Sequence, residues 1–159
     1  MPAAKSRLSD FLPYLMSVSA NAVSDVVAQQ YHARFGLKIP EWRVMAVLGD
    51  AGALTQRRLV SSTRMDKVAV NRACKALEER GLVQRSPNAR DGRSHHLELT
   101  SAGRQMHGEI MPLALDIEQR LFAFFSAQER KDFKATLARI NEQVRVLESA
   151  RPADRDDQA

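Results

Sequence analysis

Apolar residues recur along this chain at helical spacing. Between Asp10 and about Phe35 the positions Phe11, Leu12, Leu15, Val18, Ala22 and Val26 follow one another at steps of three or four. That spacing predicts one helical stripe, stopped by Gly36. Pro40 stands just inside a second helix, Glu41 to about Gly49, where its missing N–H is no loss. Trp42, Met45, Ala46 and Leu48 are its expected buried side, and Gly49 and Gly52 its expected end. Thr55 can cap a short helix through Ser62 with Leu59 inward, and Asp66 can cap another from Lys67 to Arg80. On that helix Val70, Ala73, Cys74 and Leu77 fall at i, i+3, i+4 and i+7 and must face a core. Lys67, Ala69, Asn71, Arg72 and Lys75 are left on its outer side.

After Gly81 the pattern changes. Val83–Ser86 and Ser94–Leu99 read as short strands, and Pro87–Arg93 as the turn-rich connection between them. Thr100 or Ser101 starts a long helix toward Phe125, which Pro112 is expected to end or kink near Met111. A last helix runs from Gln128 to about Ala150, with Phe133, Leu137, Ile140, Val144 and Leu147 at alternating steps of four and three. Such a stripe on a terminal helix of a small protein suits a partner chain. Residues 1–7 read as a loose arm and 151–159 as a disordered tail. The expected architecture is mainly α with one β-hairpin. Two helices joined by a short turn, then the hairpin, form a winged helix-turn-helix.

Charge sharpens this picture. The 159 residues carry a formal net charge of +5, with 44% apolar residues, enough for one domain with a core. Residues 54–104 hold eleven Lys/Arg against five Asp/Glu, a net of +6, so the rest of the chain is at −1. All the excess positive charge sits in the helix-plus-hairpin segment, which favours an anionic partner, double-stranded DNA. There is no 18-residue apolar stretch and no basic-then-apolar leader, so neither a membrane span nor a secretory signal is expected. The single cysteine, Cys74, fits a reducing cytoplasm.

Leu54-Thr55-Gln56-Arg57-Arg58-Leu59, Asp66-Lys67-Val68-Ala69-Val70-Asn71-Arg72, Leu77-Glu78-Glu79-Arg80-Gly81-Leu82-Val83 and Asp91-Gly92-Arg93 with Leu99-Thr100 and Gly103 together resemble the MarR (multiple antibiotic resistance regulator) family of bacterial transcription factors. The resemblance covers roughly residues 10–150 in element order. It implies a homodimer whose N- and C-terminal helices interlock and whose two winged helices read a pseudo-palindromic operator, most often as a repressor. On this reading residues 1–159 are a single domain. Residues 40–104 form its DNA-binding subregion, and residues 8–36 and 105–150 are dimerisation helices. Two departures bear on base specificity: Gly92 stands where an arginine is common, and Val68-Ala69 replace the usual serine-threonine pair.

A recognition helix presents its N-terminal residues to base edges in the major groove. Asn71 suits adenine and Arg72 suits guanine or a phosphate. Lys67, Lys75, Arg57 and Arg58 suit phosphates, and Ala69 lies on the same exposed side. In the hairpin, Arg93 is the expected minor-groove probe, with Asp91 accepting its hydrogen bonds or forming the turn, and Arg90 and Arg85 supporting on phosphates. The resemblance further implies a small-molecule effector, an aromatic carboxylate or its CoA thioester, for which His32, Trp42 and Arg43 are the candidates. Cys74 lies on an apolar face, so core packing outweighs an oxidation switch there. His95 and His96 point to opposite faces of a strand, and no metal site, cofactor site or catalytic constellation is expected. The competing readings are a regulator without a ligand and, from another class, a helical protein-interaction module.

Overall fold

The computed structural model describes residues 7–150. The expected arm and tail thus fall outside the described residues, Arg7 excepted. The chain divides into two compact units, residues 1–115 and 116–159. The first holds a 3₁₀ turn (Leu8–Asp10), α1 (Leu12–Phe35), α2 (Ile39–Ala51), β1 (Leu54–Thr55), α3 (Gln56–Thr63), α4 (Lys67–Glu79), β2 (Val83–Pro87), β3 (His95–Leu99) and the start of α5 (Ser101–Leu121).

Local chemistry sets these boundaries. Gly36, at φ 63°, closes α1 by giving its N–H to the His32 carbonyl. The Thr55 hydroxyl accepts from the Arg58 N–H at 3.3 Å and the Asp66 carboxylate from the Ala69 N–H at 2.7 Å, capping α3 and α4. Gly81, at φ 70°, ends the α4 run with its N–H on the Glu78 carbonyl, while the Leu82 N–H reaches the Leu77 carbonyl. Those two bonds turn the chain sharply into β2.

The sheet is antiparallel in the order β1-β3-β2. Val83 pairs with Leu99 and Arg85 with Leu97, so Val83, Leu97 and Leu99 all turn to the core. β1 was not expected. Only two residues long, it pairs Leu54 with Leu97 and Thr55 with His96, too short for alternation to reveal. The core itself gathers Leu37, Val44, Met45, Leu48, Leu59, Val70, Cys74 and Leu77.

Four expectations need correcting. Gly49 does not end α2, which runs to Ala51 and is closed by Gly52 alone. Gly49 instead makes room, since a Cβ there would lie 2.3 Å from Nε2 of His107. The buried side of α2 also shifts, taking in Val44 and Glu41 while Trp42 and Ala46 are half-buried. Glu41 tolerates burial because its carboxylate accepts the Lys38 N–H at 3.0 Å, satisfying the amide that precedes the helix. Pro112 does not end α5, which continues through it to Leu121. A proline removes one N–H from the ladder, and the remaining bonds of a 21-residue helix carry it across. α5 stops short of Phe125 because Ser126 must adopt an extended backbone to cap the next helix.

The second unit contains the end of α5 and α6 (Ala127–Ser149). The Ser126 hydroxyl accepts the Glu129 N–H at 3.1 Å, and the Glu129 carboxylate accepts the Ser126 N–H at 2.6 Å. Phe122 stacks edge-on with Phe125 and tilts against Phe133. Much apolar surface on the long helices remains open. Tyr31 is the one buried residue of α1, whereas Leu12 is 70% exposed, as is Leu147 of α6 at 62%.

The hairpin is welded to its flanks at one point. The Thr100 N–H donates to the Leu82 carbonyl at 3.0 Å, and the Thr100 hydroxyl donates to the Gly81 carbonyl at 2.6 Å. That same hydroxyl accepts the Gly103 N–H at 3.0 Å, capping α5. Gly103 packs so closely that a Cβ would lie 2.0 Å from the Leu82 carbonyl oxygen. Since backbone meets backbone here, Gly103→Ala is expected to destabilise the fold by about 3 kcal/mol or more. Chemical denaturation followed by circular dichroism measures this, and a loss below about 1 kcal/mol contradicts the close approach.

Cys74 is fully buried. Burial pushes its thiol from an ordinary value of 9.0 up to about 11, outweighing the lowering influence of Arg85. The native protein is therefore expected to resist thiol-specific reagents at pH 7–8 and to label fully once unfolded. The linkage has a definite sign. The unfolded thiol ionises first, so this group's contribution to stability is full below pH 9 and declines toward pH 11. Rapid labelling of the folded protein refutes the assignment.

Candidate nucleic-acid interface

α3 and α4 carry the candidate residues on their outer sides. Arg57, Arg58, Lys67, Asn71, Arg72 and Lys75 are exposed, while Ala69 is half-buried with its N–H held by Asp66. The inward positions Leu59, Val70, Ala73, Cys74 and Leu77 anchor both helices and so fix which side faces out. Among the described residues, the side chains of Arg57, Arg58, Lys67, Arg72, Lys75, Arg90 and Arg93 make no hydrogen bond or ion pair. Asn71 differs, because its side-chain carbonyl accepts a hydrogen bond from the Gln56 amide of α3. That bond takes one lone pair of the oxygen and leaves the other, with the Asn71 amide N–H groups, unengaged among the described residues. Gln56 escaped the sequence reading because the chemistry of the pair appears only when α3 meets α4.

The hairpin tip is organised by two carboxyl- or amide-capped turns. The Asn88 side-chain carbonyl accepts the Arg90 N–H at 3.0 Å, and the Asp91 carboxylate accepts the Arg93 N–H at 3.0 Å. Asp91 thus grips the backbone of Arg93, leaving the guanidinium without a partner among the described residues. The Asn88 amide also donates to the Ser94 hydroxyl at 2.9 Å, closing the base of the loop. Gly92 sits at the apex outside the left-handed region, with open space where a side chain would stand.

Other arginines of the basic segment serve the protein. Arg85, expected as a phosphate ligand, is paired with Glu78 at 2.5 Å across β2 and α4, which corrects that expectation. The contact lacks the alignment of a hydrogen bond and acts as an ion pair. Arg104 donates to the Leu99 carbonyl at 2.7 Å. Arg80 donates to the carbonyls of Phe35, at 2.7 Å, and Gly36, at 3.3 Å. None of these pairings has a spacing signal in the sequence.

The three effector candidates lie in two places. The Trp42 indole meets Tyr31 edge-on at 5.4 Å, and the Arg43 guanidinium sits 6.0 Å from the Trp42 ring centre while donating to Ser24 at 3.2 Å. The Trp42 ring N–H is shielded from solvent and has no partner among the described residues. His32 lines a separate open hollow with Gln29, Leu37, Lys38 and Ile39. Among the described residues no three His, Cys, Asp or Glu side chains gather as metal ligands, and no helix is long and apolar enough to cross a membrane.

Residues 35–94 match the model of the MarR family, which spans α2 to the hairpin tip. The HTH-type transcriptional regulator YwoH of Bacillus subtilis is 29% identical over 128 residues, covering 80% of this chain and 92% of that protein. Among solved structures, a MarR/EmrR family transcriptional regulator from Acinetobacter superposes with a TM-score of 0.81 at 23% identity, covering 87% of this chain and 97% of that one. BpsR of Bordetella bronchiseptica, whose DNA binding is regulated by 6-hydroxynicotinic acid, superposes with a TM-score of 0.72 at 25% identity, covering 82% and 98%. These relatives are regulators rather than enzymes. A winged helix-turn-helix with a basic outer face, a family model over that segment and relatives across most of the chain lead to one finding: this chain is similar to DNA-binding transcriptional regulators of the MarR family.

Proposed function

We propose that this protein is a homodimeric repressor that binds a pseudo-palindromic operator and is released by a small aromatic carboxylate or its CoA thioester. One observation carries the DNA-reading assignment. The unpaired basic side chains of the segment lie on α3, α4 and the hairpin tip, whereas Arg80, Arg85 and Arg104 are tied to the protein itself. In this reading Arg72 and Asn71 read base edges, with Ala69 beside them. Arg57, Arg58, Lys67, Lys75 and Arg90 meet phosphates, and Arg93, oriented by the Asp91 turn, enters the minor groove. Residues 40–104 then form the DNA-binding subregion.

Dimerisation is supported by the apolar surface of the long helices. Phe11, Leu12, Leu15, Val18 and Val26 of the N-terminal segment and Phe133 and Leu147 of α6 stand in water in a single chain. A second copy covering residues 8–36 and 105–150 would remove that surface from solvent. Repression follows from occupancy, since a dimer seated over a promoter excludes polymerase. The effector reading draws support from the Arg43–Trp42 stack, a cation and an indole suited to an aromatic anion, and from the regulation of BpsR by such a compound. Release requires that the effector bind the DNA-incompetent arrangement more tightly than the competent one.

Arg93→Ala is expected to weaken operator binding about tenfold or more at fixed salt while leaving the dimer folded. Arg72→Ala should lose a comparable factor but concentrate the loss on one base pair. Fluorescence anisotropy on labelled promoter duplexes tests both, and unchanged affinity of Arg93→Ala removes the hairpin from the interface. Aromatic acids and their CoA esters, screened by thermal shift, should include one that raises Tm in the wild type and less so in Arg43→Ala.

A further inference from the structure

Arg80 stands at the C-terminal end of α4, the helix read above as the DNA-recognition element, yet its side chain is engaged by the end of α1. Its guanidinium forks onto two consecutive carbonyls, Phe35 at 2.7 Å and Gly36 at 3.3 Å. These are carbonyls that the end of α1 leaves without helical partners, where the helix dipole places partial negative charge. Gly36, held at φ 63°, ends the helix at this point, and the fully buried Leu37 follows at once. The two ends joined are 44 and 45 residues apart in sequence.

α1 has few other ties to the body that carries α4. The Tyr31–Trp42 ring contact and the Arg43–Ser24 hydrogen bond both reach α2. The Arg80 fork alone among these polar ties ends on α4 itself. A planar fork holding two acceptors fixes direction as well as distance, which a lysine ammonium does not.

We propose that Arg80 is a positioning residue that sets the angle of the recognition helix relative to α1, and through it the spacing of the two recognition helices in the dimer. This rests on the operator-binding homodimer proposed above. It gives Arg80 no DNA contact of its own. The fork conveys to α4 any rearrangement that a ligand produces at α1, so the same residue is the mechanical link for regulation.

Duplexes selected by the wild-type chain from a random DNA library supply the probe. Each is remade with one base pair inserted at its centre of symmetry, which moves the half-sites apart by about 3.4 Å and rotates them by about 35°. Arg80→Ala and Arg80→Lys are each expected to lose at least about threefold of the wild-type preference for native spacing. The slope of log affinity against log salt should stay as in the wild type. Undiminished spacing preference in both variants overturns the proposal. So does a salt slope smaller by about one, which marks a lost phosphate contact. Should Arg80→Ala fail to fold, Arg80→Lys retains the stem and the charge and decides alone. If the wild type selects only unsymmetrical sites, the two-copy reading fails, and the proposal with it, before any variant is made.

Discussion

The meeting of Thr100 with the Gly81–Leu82 turn is the constraint on which the rest depends. One hydroxyl donates to the end of the α4 run and accepts from the first turn of α5, while the neighbouring amide holds Leu82. The end of α4, the base of the hairpin and the first turn of α5 are therefore fixed at one junction, and Gly103 admits no side chain between them. The base of the hairpin is tied to the end of α4, so the two elements are held on one body. Apolar packing supplies the energy of this body. The junction supplies its geometry.

Much of this was legible in the residues. Glycines at 36 and 81, caps at Thr55 and Asp66, and the inward row Val70, Ala73, Cys74, Leu77 report local rules that hold whatever surrounds them. Elements governed by tertiary contact were not legible. β1 exists because Leu54 and Thr55 lie beside Leu97 and His96, and Gly49 serves the His107 ring rather than a helix end. Pro112 looked like a breaker because the local cost of proline is visible in a sequence, whereas the length of helix that absorbs it is not.

The candidate interface divides the same way. Net charge located the basic segment, but arginines look alike in a sequence, and only geometry sorts them. Arg85 answers Glu78 across two elements, Arg104 staples the start of α5, and Arg80 crosses to α1. Among the described residues, Arg72, Arg90 and Arg93 have no partner for their charge. Asn71 shows a subtler limit, because its partner Gln56 belongs to the preceding helix and the bond has no fixed spacing.

The hairpin tip carries a consequence for how such proteins diversify. Its shape is written by Asn88 and Asp91 gripping backbone amides, and Gly92 contributes nothing to it, lying in ordinary backbone space with empty surroundings. Position 92 is thus neutral ground for mutation. A lineage can place there a long cation, a small polar group or nothing, changing the surface of the tip without remaking the loop. The chemistry of this apex can drift while the fold stays as it is.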